Sequence, residues 1–435
     1  MKYRKVTLAL ALLALLFALP GAAEDFYGEM PALLRFTQTT VTDAGAALTY
    51  PDTASDTVDA AVRASIDALA QESRENLAPG AALDAGAVIS RSGKSLLSFL
   101  VLAEETKDRE LLSVRFEAMA YDTETGERVR LGDLFEGGAA YELLSGEMKR
   151  TLEGAFPALE PDRAALDALC DPEAIREMGF TLGAARLTLT VRADAVYPGK
   201  NTLLHVNVPY SKLRPMMTQY GLEQTDNSRF KMVALTYDDG PNRGATRQVL
   251  EALRRHGAQA TFFVVGERFG NNHDMLAREQ NGNYSIQSHT YSHKYPDELQ
   301  KDEAQRDKAR MEEALGDLIG VVPTMMRAPG GHAAYYCRRE IGYPLIQWNL
   351  ASGDSGNPHI SKIAQKVIGS AGDGKIILMH DLNGGSPQYT QSVLSALTER
   401  GFLFVTVEEL FEDAGVELRE NVAYKSPAVI EYESP

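Results

Sequence analysis

Residues 232–241 read Met232-Val233-Ala234-Leu235-Thr236-Tyr237-Asp238-Asp239-Gly240-Pro241. The apolar run at the start reads as a buried strand, and Asp-Gly and Gly-Pro mark the turn that ends it. Two adjacent carboxylates at a strand end cost free energy unless something pairs with them. Neighbouring side chains there diverge, so Asp238 and Asp239 can serve different partners, one a cation and the other a reacting proton. A solvated turn is the plain alternative, and the rest of the chain decides between the two.

From this stretch onward, apolar strand, loop and helix alternate. Strands are expected at Met232–Tyr237, Ala260–Val265, Tyr284–Ser288, Thr324–Arg327, Pro344–Leu350, Lys375–Met379 and Phe402–Val407. Helices are expected at Thr246–His256, Asp274–Gln280, Glu298–Ile319, Ile360–Ala371 and Tyr389–Arg400. Such alternation predicts a parallel sheet with crossover helices, and about seven repeats favour a closed or nearly closed (β/α) barrel. The charged run Gln300–Glu313, with apolar teeth at Met311, Leu315 and Leu318, reads as the solvated face of an outer helix.

In such barrels chemistry sits at the C-terminal ends of the strands. The first predicted strand ends in Asp238-Asp239, the third in Ser288-His289-Thr290-Tyr291-Ser292-His293, and the sixth in His380-Asp381. Arg327-Ala328-Pro329-Gly330-Gly331 follows the fourth, and Ala351-Ser352-Gly353-Asp354 the fifth. Every polar cluster lies at or just after a strand end. His289 and His293, four apart, fall on one face of a helix, and a short turn could do the same. With one carboxylate they make a three-ligand N,N,O site with a position open for water. A satisfied surface or core histidine is the ordinary alternative, which Asp239 and His380 weaken.

Residues 26–222 read as a smaller α+β unit. A helix is expected over Thr57–Leu77 and another over Tyr141–Leu152. Strands are expected at Leu96–Ala103, Leu111–Tyr121, Leu187–Val191 and Leu203–Val208. This unit carries no metal-ligand spacing and no nucleophile with a base. A polar linker, Gly221–Ser228, leads into the second unit.

The chain has 435 residues, 44% of them hydrophobic, enough for two or three packed cores. Its net charge of -16 argues against nucleic acid and anionic surfaces as partners. Lys2, Arg4 and Lys5 precede an apolar run from Val6 to Leu19 and the small residues Pro20–Ala23. Residues 1–23 therefore read as a secretory signal, with an uncleaved N-terminal anchor the alternative; the expected location is secreted or envelope-associated. No cysteine follows the small residues, which argues against a lipid anchor. Cys170 and Cys337 are the only cysteines, so the protein must rest on its cores and not on a disulfide framework.

Residues 229–412 resemble the polysaccharide deacetylase family, the NodB-homology type of carbohydrate esterase. The resemblance rests on Thr-Tyr-Asp-Asp-Gly-Pro at 236–241, Ser-His-Thr-Tyr-Ser-His at 288–293 and Arg-x-Pro-x-Gly at 327–331. An Asp-bearing motif after Trp348 and Leu-Met-His-Asp at 378–381 complete it. It implies a distorted (β/α) barrel, with a catalytic domain placed at 229–420. It also implies Asp239, His289 and His293 as metal ligands and Asp238 as catalytic base, held by Arg327. His380 becomes the acid, oriented by Asp354. Gly330, Tyr291 and Leu378 become substrate contacts, with the Gly330 N–H facing the developing oxyanion. Tyr335 and Trp348 are further sugar-contact candidates, although Trp348 reads better as core.

The implied cofactor is a divalent metal, zinc first and cobalt or manganese next. The implied partner is an N-acetylated polysaccharide, peptidoglycan or a chitin-like oligomer. Two departures stand out: the usual Asp-x-x-Asp-Trp reads Ala351-Ser352-Gly353-Asp354-Ser355, and Gly330 replaces a common aromatic. Both thin the expected groove wall. An O-acetyl esterase on the same scaffold, and a wall-binding or sensor protein with a weakened barrel, remain open alternatives.

The first unit resembles the small α+β domain of lysozyme-sensing anti-sigma factors. The residues are Tyr121–Glu127, Leu131–Phe135, Tyr197-Pro198-Gly199 and Val206–Leu213. That resemblance implies contact with the cell wall, not chemistry.

Overall fold

The computed structural model describes residues 36–43, 45–300, 302–355, 359–382 and 384–433. The expected signal at 1–23 and the start of the 26–222 unit lie outside the described residues. Among the described residues, no helix is long and apolar enough to cross a membrane.

The first unit is built on six strands ordered as in the sequence: β1 (Phe36–Asp43), β2 (Ala46–Thr53), β3 (Ala82–Ser92), β4 (Leu96–Lys107), β5 (Glu110–Asp122) and β6 (Glu127–Val129). Only β2 and β3 run parallel, because helix α1 (Asp56–Glu75) crosses between them. Ser55 caps α1 by accepting from the Val58 N–H, and Val58, Val62, Ile66 and Ala70 form its buried stripe. That stripe packs on Leu97, Phe99 and Val101 of β4. The other face of β4 packs, through Leu100 and Leu102, against Leu203. Burial on both faces explains why β4 reads as one apolar run. Helix α2 (Ala139–Gly154) and the antiparallel strands β7 (Phe180–Leu182), β8 (Arg186–Arg192) and β9 (Leu203–Pro209) close a second core.

The stretch expected as a polar linker is only partly solvated. Gln219–Gln224 is helical, and Gln224, Thr225 and Asn227 are buried. Asn227 accepts from the Gly93 N–H (2.8 Å) and donates to the Ala184 carbonyl (2.7 Å). Its polarity serves internal partners, which composition alone does not distinguish from a solvated linker. Replacing Asn227 by Ala leaves both backbone groups buried and unpaired. The expected loss is about 1–3 kcal/mol, read as a lower midpoint in urea unfolding.

In the second unit β10 (Lys231–Asp238) lies at the centre of a parallel sheet, flanked by β11 (Thr261–Val264) and β15 (Lys375–His380). β12 (Ser285–Ser288) extends the sheet beyond β11, and β14 (Leu350–Ala351) beyond β15. β16 (Phe402–Val405) pairs with the first half of β10, where β11 has not yet joined. Helices α3 (Arg243–His256), α4 (His273–Asn281), α5 (Glu303–Ile319), α6 (Ile360–Ser370) and α7 (Ser386–Glu399) complete the crossovers. Alternation along β10 sends Met232 and Ala234 to one core, and Val233 and Leu235 to the helix-packed one.

Two expected strands are reduced. Thr324–Arg327 is a single bridge at Met326, between Ser288 and Leu345. Pro344–Leu350 splits into β13 (Leu345–Ile346) and β14. The split has a cause: Arg327 donates from Nε to the Ile346 carbonyl (3.0 Å) and from Nη2 to the Gln347 carbonyl (3.1 Å). Those carbonyls serve a side chain and not a neighbouring strand. β13 pairs instead with β17 (Val422–Ser426), part of a C-terminal hairpin with β18 (Val429–Glu433) that the repeat pattern does not anticipate.

The two units meet along α3 and α4. Arg278 donates to Glu104 (2.8 Å), Arg254 pairs with Asp84 (3.4 Å), and Gln280 donates to the Leu203 carbonyl (2.9 Å).

Candidate active site

Asp238 closes β10 on the same face as Thr236, and Asp239 follows it in the left-handed region at φ 75°. That backbone turn separates two carboxylates whose Cα atoms are adjacent. Asp238 is 3% exposed and needs a charged partner. Arg327, fully buried, supplies it: Nη1 donates to Asp238 Oδ1 (2.8 Å) and to Thr236 Oγ1 (2.6 Å). Its guanidinium also lies over the Phe263 ring at 4.2 Å. Burial lowers the Arg327 pKa from its ordinary value, against the opposing pull of Asp238. All three guanidinium nitrogens donate, so the Asp238 carboxylate is held in one place.

A turn, not a helix, brings His289 and His293 together. Thr290 and His293 sit at positive φ (66° and 53°), a strain kept only where the surroundings over-determine it. The surroundings are Asp307, which accepts from the Tyr291 and Ser292 N–H groups, and Thr290 Oγ1, which accepts from the His293 N–H (2.9 Å). Asp307 lies on α5 inside the run read as a solvated face, yet it is 7% exposed. That reading therefore fails at Asp307: a buried carboxylate here organises the histidine loop.

Asp239 Oδ1 lies 3.0 Å from His293 Nε2 and 3.4 Å from His289 Nε2. All three donor atoms fall within 4.8 Å of one another. His289 Nδ1 donates to the Arg327 carbonyl (2.8 Å), which leaves the Nε2 lone pair for a cation. Burial raises the Asp239 pKa, but the two imidazoles outweigh it and hold this carboxyl well below the usual range. An ionised carboxylate with two correctly turned imidazoles fits a divalent ion.

His380 ends β15 directly beside Asp238 in the sheet register. Its backbone N–H donates to Asp354 Oδ2 and its Nδ1 to Asp354 Oδ1, both at 2.8 Å. Asp354 also accepts from Ser352 Oγ (2.9 Å) and from the Tyr389 hydroxyl. Burial alone would lower the His380 pKa; the hydrogen bond and charge of Asp354 reverse this and push it up to about 9. That shift favours the imidazolium at neutral pH, and Nε2 is the nitrogen not committed to Asp354. Ala351, where the usual Asp is missing, pairs with Leu378 in the sheet and leaves the Asp354–His380 pair intact.

The expected sugar contacts separate. Leu378 is half-buried on β15 beside His380, and Gly330 lies exposed at the rim at φ 63°. The Tyr291 ring fills the space above Gly266, under Arg310 at 3.9 Å. Tyr335 is taken up by Tyr336 and Arg339. Trp348 is partly buried against the barrel core, its ring edge next to Gly331. Thr236, Asp307 and Tyr389 were not singled out by the sequence reading. Only Thr236 carries a local signal, the period-two spacing from Asp238. Asp381 is fully buried, accepts from Thr246 Oγ1, and has its pKa pushed up to about 7 by burial. Cys170 and Cys337 are both buried free thiols. A cavity of about 430 Å³, lined by His205, Asn283, Gln287 and Glu408, contains none of these donors.

Fold and site together define a parallel α/β sheet with crossover helices whose strand ends carry an Asp-His-His donor set, an arginine-clamped carboxylate and a carboxylate-backed histidine. The comparisons with known proteins agree. The polysaccharide deacetylase family model matches residues 225–342. The peptidoglycan-N-acetylglucosamine deacetylase PgdA of Listeria monocytogenes is 34% identical over 42% of this chain and 39% of its own length. A peptidoglycan-N-acetylglucosamine deacetylase of Bacillus cereus is 31% identical over 41% of this chain and 88% of its own. A chitin deacetylase of Colletotrichum lindemuthianum is 32% identical over 42% and 80%. The chain spans about two-fifths of the Listeria relative's length. It belongs to the polysaccharide deacetylase family.

Proposed function

We propose that this chain is an exported, divalent-metal-dependent hydrolase that removes N-acetyl groups from amino-sugar polymers, peptidoglycan foremost. One observation carries the reading: a clamped carboxylate, a three-donor set and an imidazolium meet on one barrel rim. The relatives named for peptidoglycan and chitin support the substrate class. The basic N-terminus followed by an apolar run supports export. Two imidazoles and one carboxylate suit zinc best, with cobalt or manganese as alternatives.

A divalent ion held by Asp239, His289 and His293 would polarise the acetyl carbonyl and lower the pKa of a water beside it. Asp238, anchored through Oδ1, offers Oδ2 as the base that takes the proton of that water as its oxygen bonds the acetyl carbon. The carbon–nitrogen bond then breaks, and an amine leaves only if the nitrogen is protonated. His380 Nε2 gives that proton, since Nδ1 is committed to Asp354. The products are acetate and the free amino sugar. An ester would part with its alkoxide more easily, so an acid backed this firmly favours the amide reading over the esterase one. The first unit, by its resemblance, would hold the enzyme against the wall.

The test is acetate release from acetylated chitooligosaccharides and from peptidoglycan, with added zinc and after chelation. Release is expected with metal, reduced at least about a hundredfold by chelation and in both Asp238→Asn and His289→Ala. Bound metal should persist in Asp238→Asn and fall in His289→Ala. Full activity after chelation, or no release from either polymer, would overturn the proposal.

A further inference from the structure

The rim beside the donor set holds an aromatic ring that the sequence reading did not single out. Tyr295 follows His293 by two residues and is 41% exposed, among the few large apolar side chains left open to solvent in the described residues. Its ring meets the His293 ring edge-on at 5.9 Å and the His332 ring edge-on at 6.0 Å. The backbone beneath it is fixed: the Tyr295 N–H donates to Glu298 Oε2 (2.7 Å), and the Glu298 N–H donates back to the Tyr295 carbonyl (2.9 Å). An open ring on a fixed backbone, next to a candidate metal ligand, is poised for a ligand face.

Gly330 gives an independent sign. A Cβ built on Gly330 would lie 2.6 Å from Tyr295 Cε1 and 3.1 Å from His332 Cδ2. The volume that a side chain at 330 would fill is therefore already occupied by Tyr295. Glycine at 330, in the left-handed region, lets a ring from a different loop stand at the groove wall.

We infer that Tyr295 is the aromatic platform on which the substrate's pyranose ring lies, and that Gly330 is small so that Tyr295 can take that place. The inference rests on the deacetylase reading for its substrate class, an N-acetylated amino sugar. One face of such a ring presents C–H groups, which pack against an aromatic face, while its hydroxyls stay in water. Tyr295 binds and orients, and moves no proton.

The test separates this inference from the reading beneath it. Tyr295→Ala is expected to raise KM for N-acetylchitooligosaccharide about tenfold with kcat within about threefold, and Tyr295→Phe to restore it. Bound zinc, measured in each variant, should stay at the wild-type level. Calorimetric titration of the full chain with the same oligosaccharide gives a readout that needs no turnover. Turnover by wild type with an unchanged KM and Kd in Tyr295→Ala would overturn the platform and leave the deacetylase reading standing. Absence of turnover with a Kd that still weakens in Tyr295→Ala would do the reverse. No binding by wild type would overturn both.

Discussion

Replacing Arg327 by methionine is expected to destabilise the barrel by about 3–5 kcal/mol and to abolish acetate release. The substitution leaves Asp238 buried without its cation, and frees the Thr236 hydroxyl and the Ile346 and Gln347 carbonyls from their donor. The stability loss is read from the urea midpoint. A second variant separates charge from shape. Adding Asp238→Asn to Arg327→Met removes the uncompensated charge, so the double variant should regain part of the lost stability without any activity. If the single variant unfolds at the wild-type midpoint, Asp238 does not depend on Arg327 for compensation.

Asp354→Asn should move the basic limb of the pH–rate profile. In wild type His380 titrates near pH 9, because Asp354 overrides the lowering effect of burial. With the carboxylate gone, its hydrogen bond and charge are lost, only the charges of Asp238 and Asp239 still oppose burial, and the pKa falls from about 9. The basic limb is expected to move to lower pH, with kcat above it falling by up to about 10²–10⁴-fold and recovering in part on acidification. Stability follows by linkage. The folded-state pKa of His380 is raised, so its contribution is complete below about pH 6.5 and disappears as pH rises through about 9. Wild type should therefore lose stability relative to Asp354→Asn across that window. An unshifted basic limb in the variant would assign the limb to another group.

Much of the site could be read before any tertiary structure. The polar clusters mark strand ends because the continuous apolar run of a strand buried on both faces stops where the rim begins, and the side chains there are free to be polar. The pair His289 and His293 was legible from its spacing only together with Asp239 and His380, and the backbone that unites it is a turn strained at Thr290 and His293. The first unit was harder. Strands β1, β2 and β3 went unread, since Thr-rich Phe36–Asp43 and Gly-containing Ala82–Ser92 lack a clean alternation. Gln224 and Asn227 look like linker residues and serve as buried hydrogen-bonding partners.

The sequence by itself determined the alternation of strand and helix from β10 onward and the kinds of side chain at the strand ends, because both follow from local periodicity and turn chemistry. Only the tertiary structure decided which groups hold those side chains. Asp307 behind the histidine loop, Tyr389 behind Asp354 and Arg327 across the barrel from Asp238 are 15 to 91 positions from the groups they hold. So did the choice of Tyr295 as the ring that fills the space above Gly330. A hydrogen bond or a ring contact depends on ångström separations set by packing, and local sequence pattern carries no record of those separations.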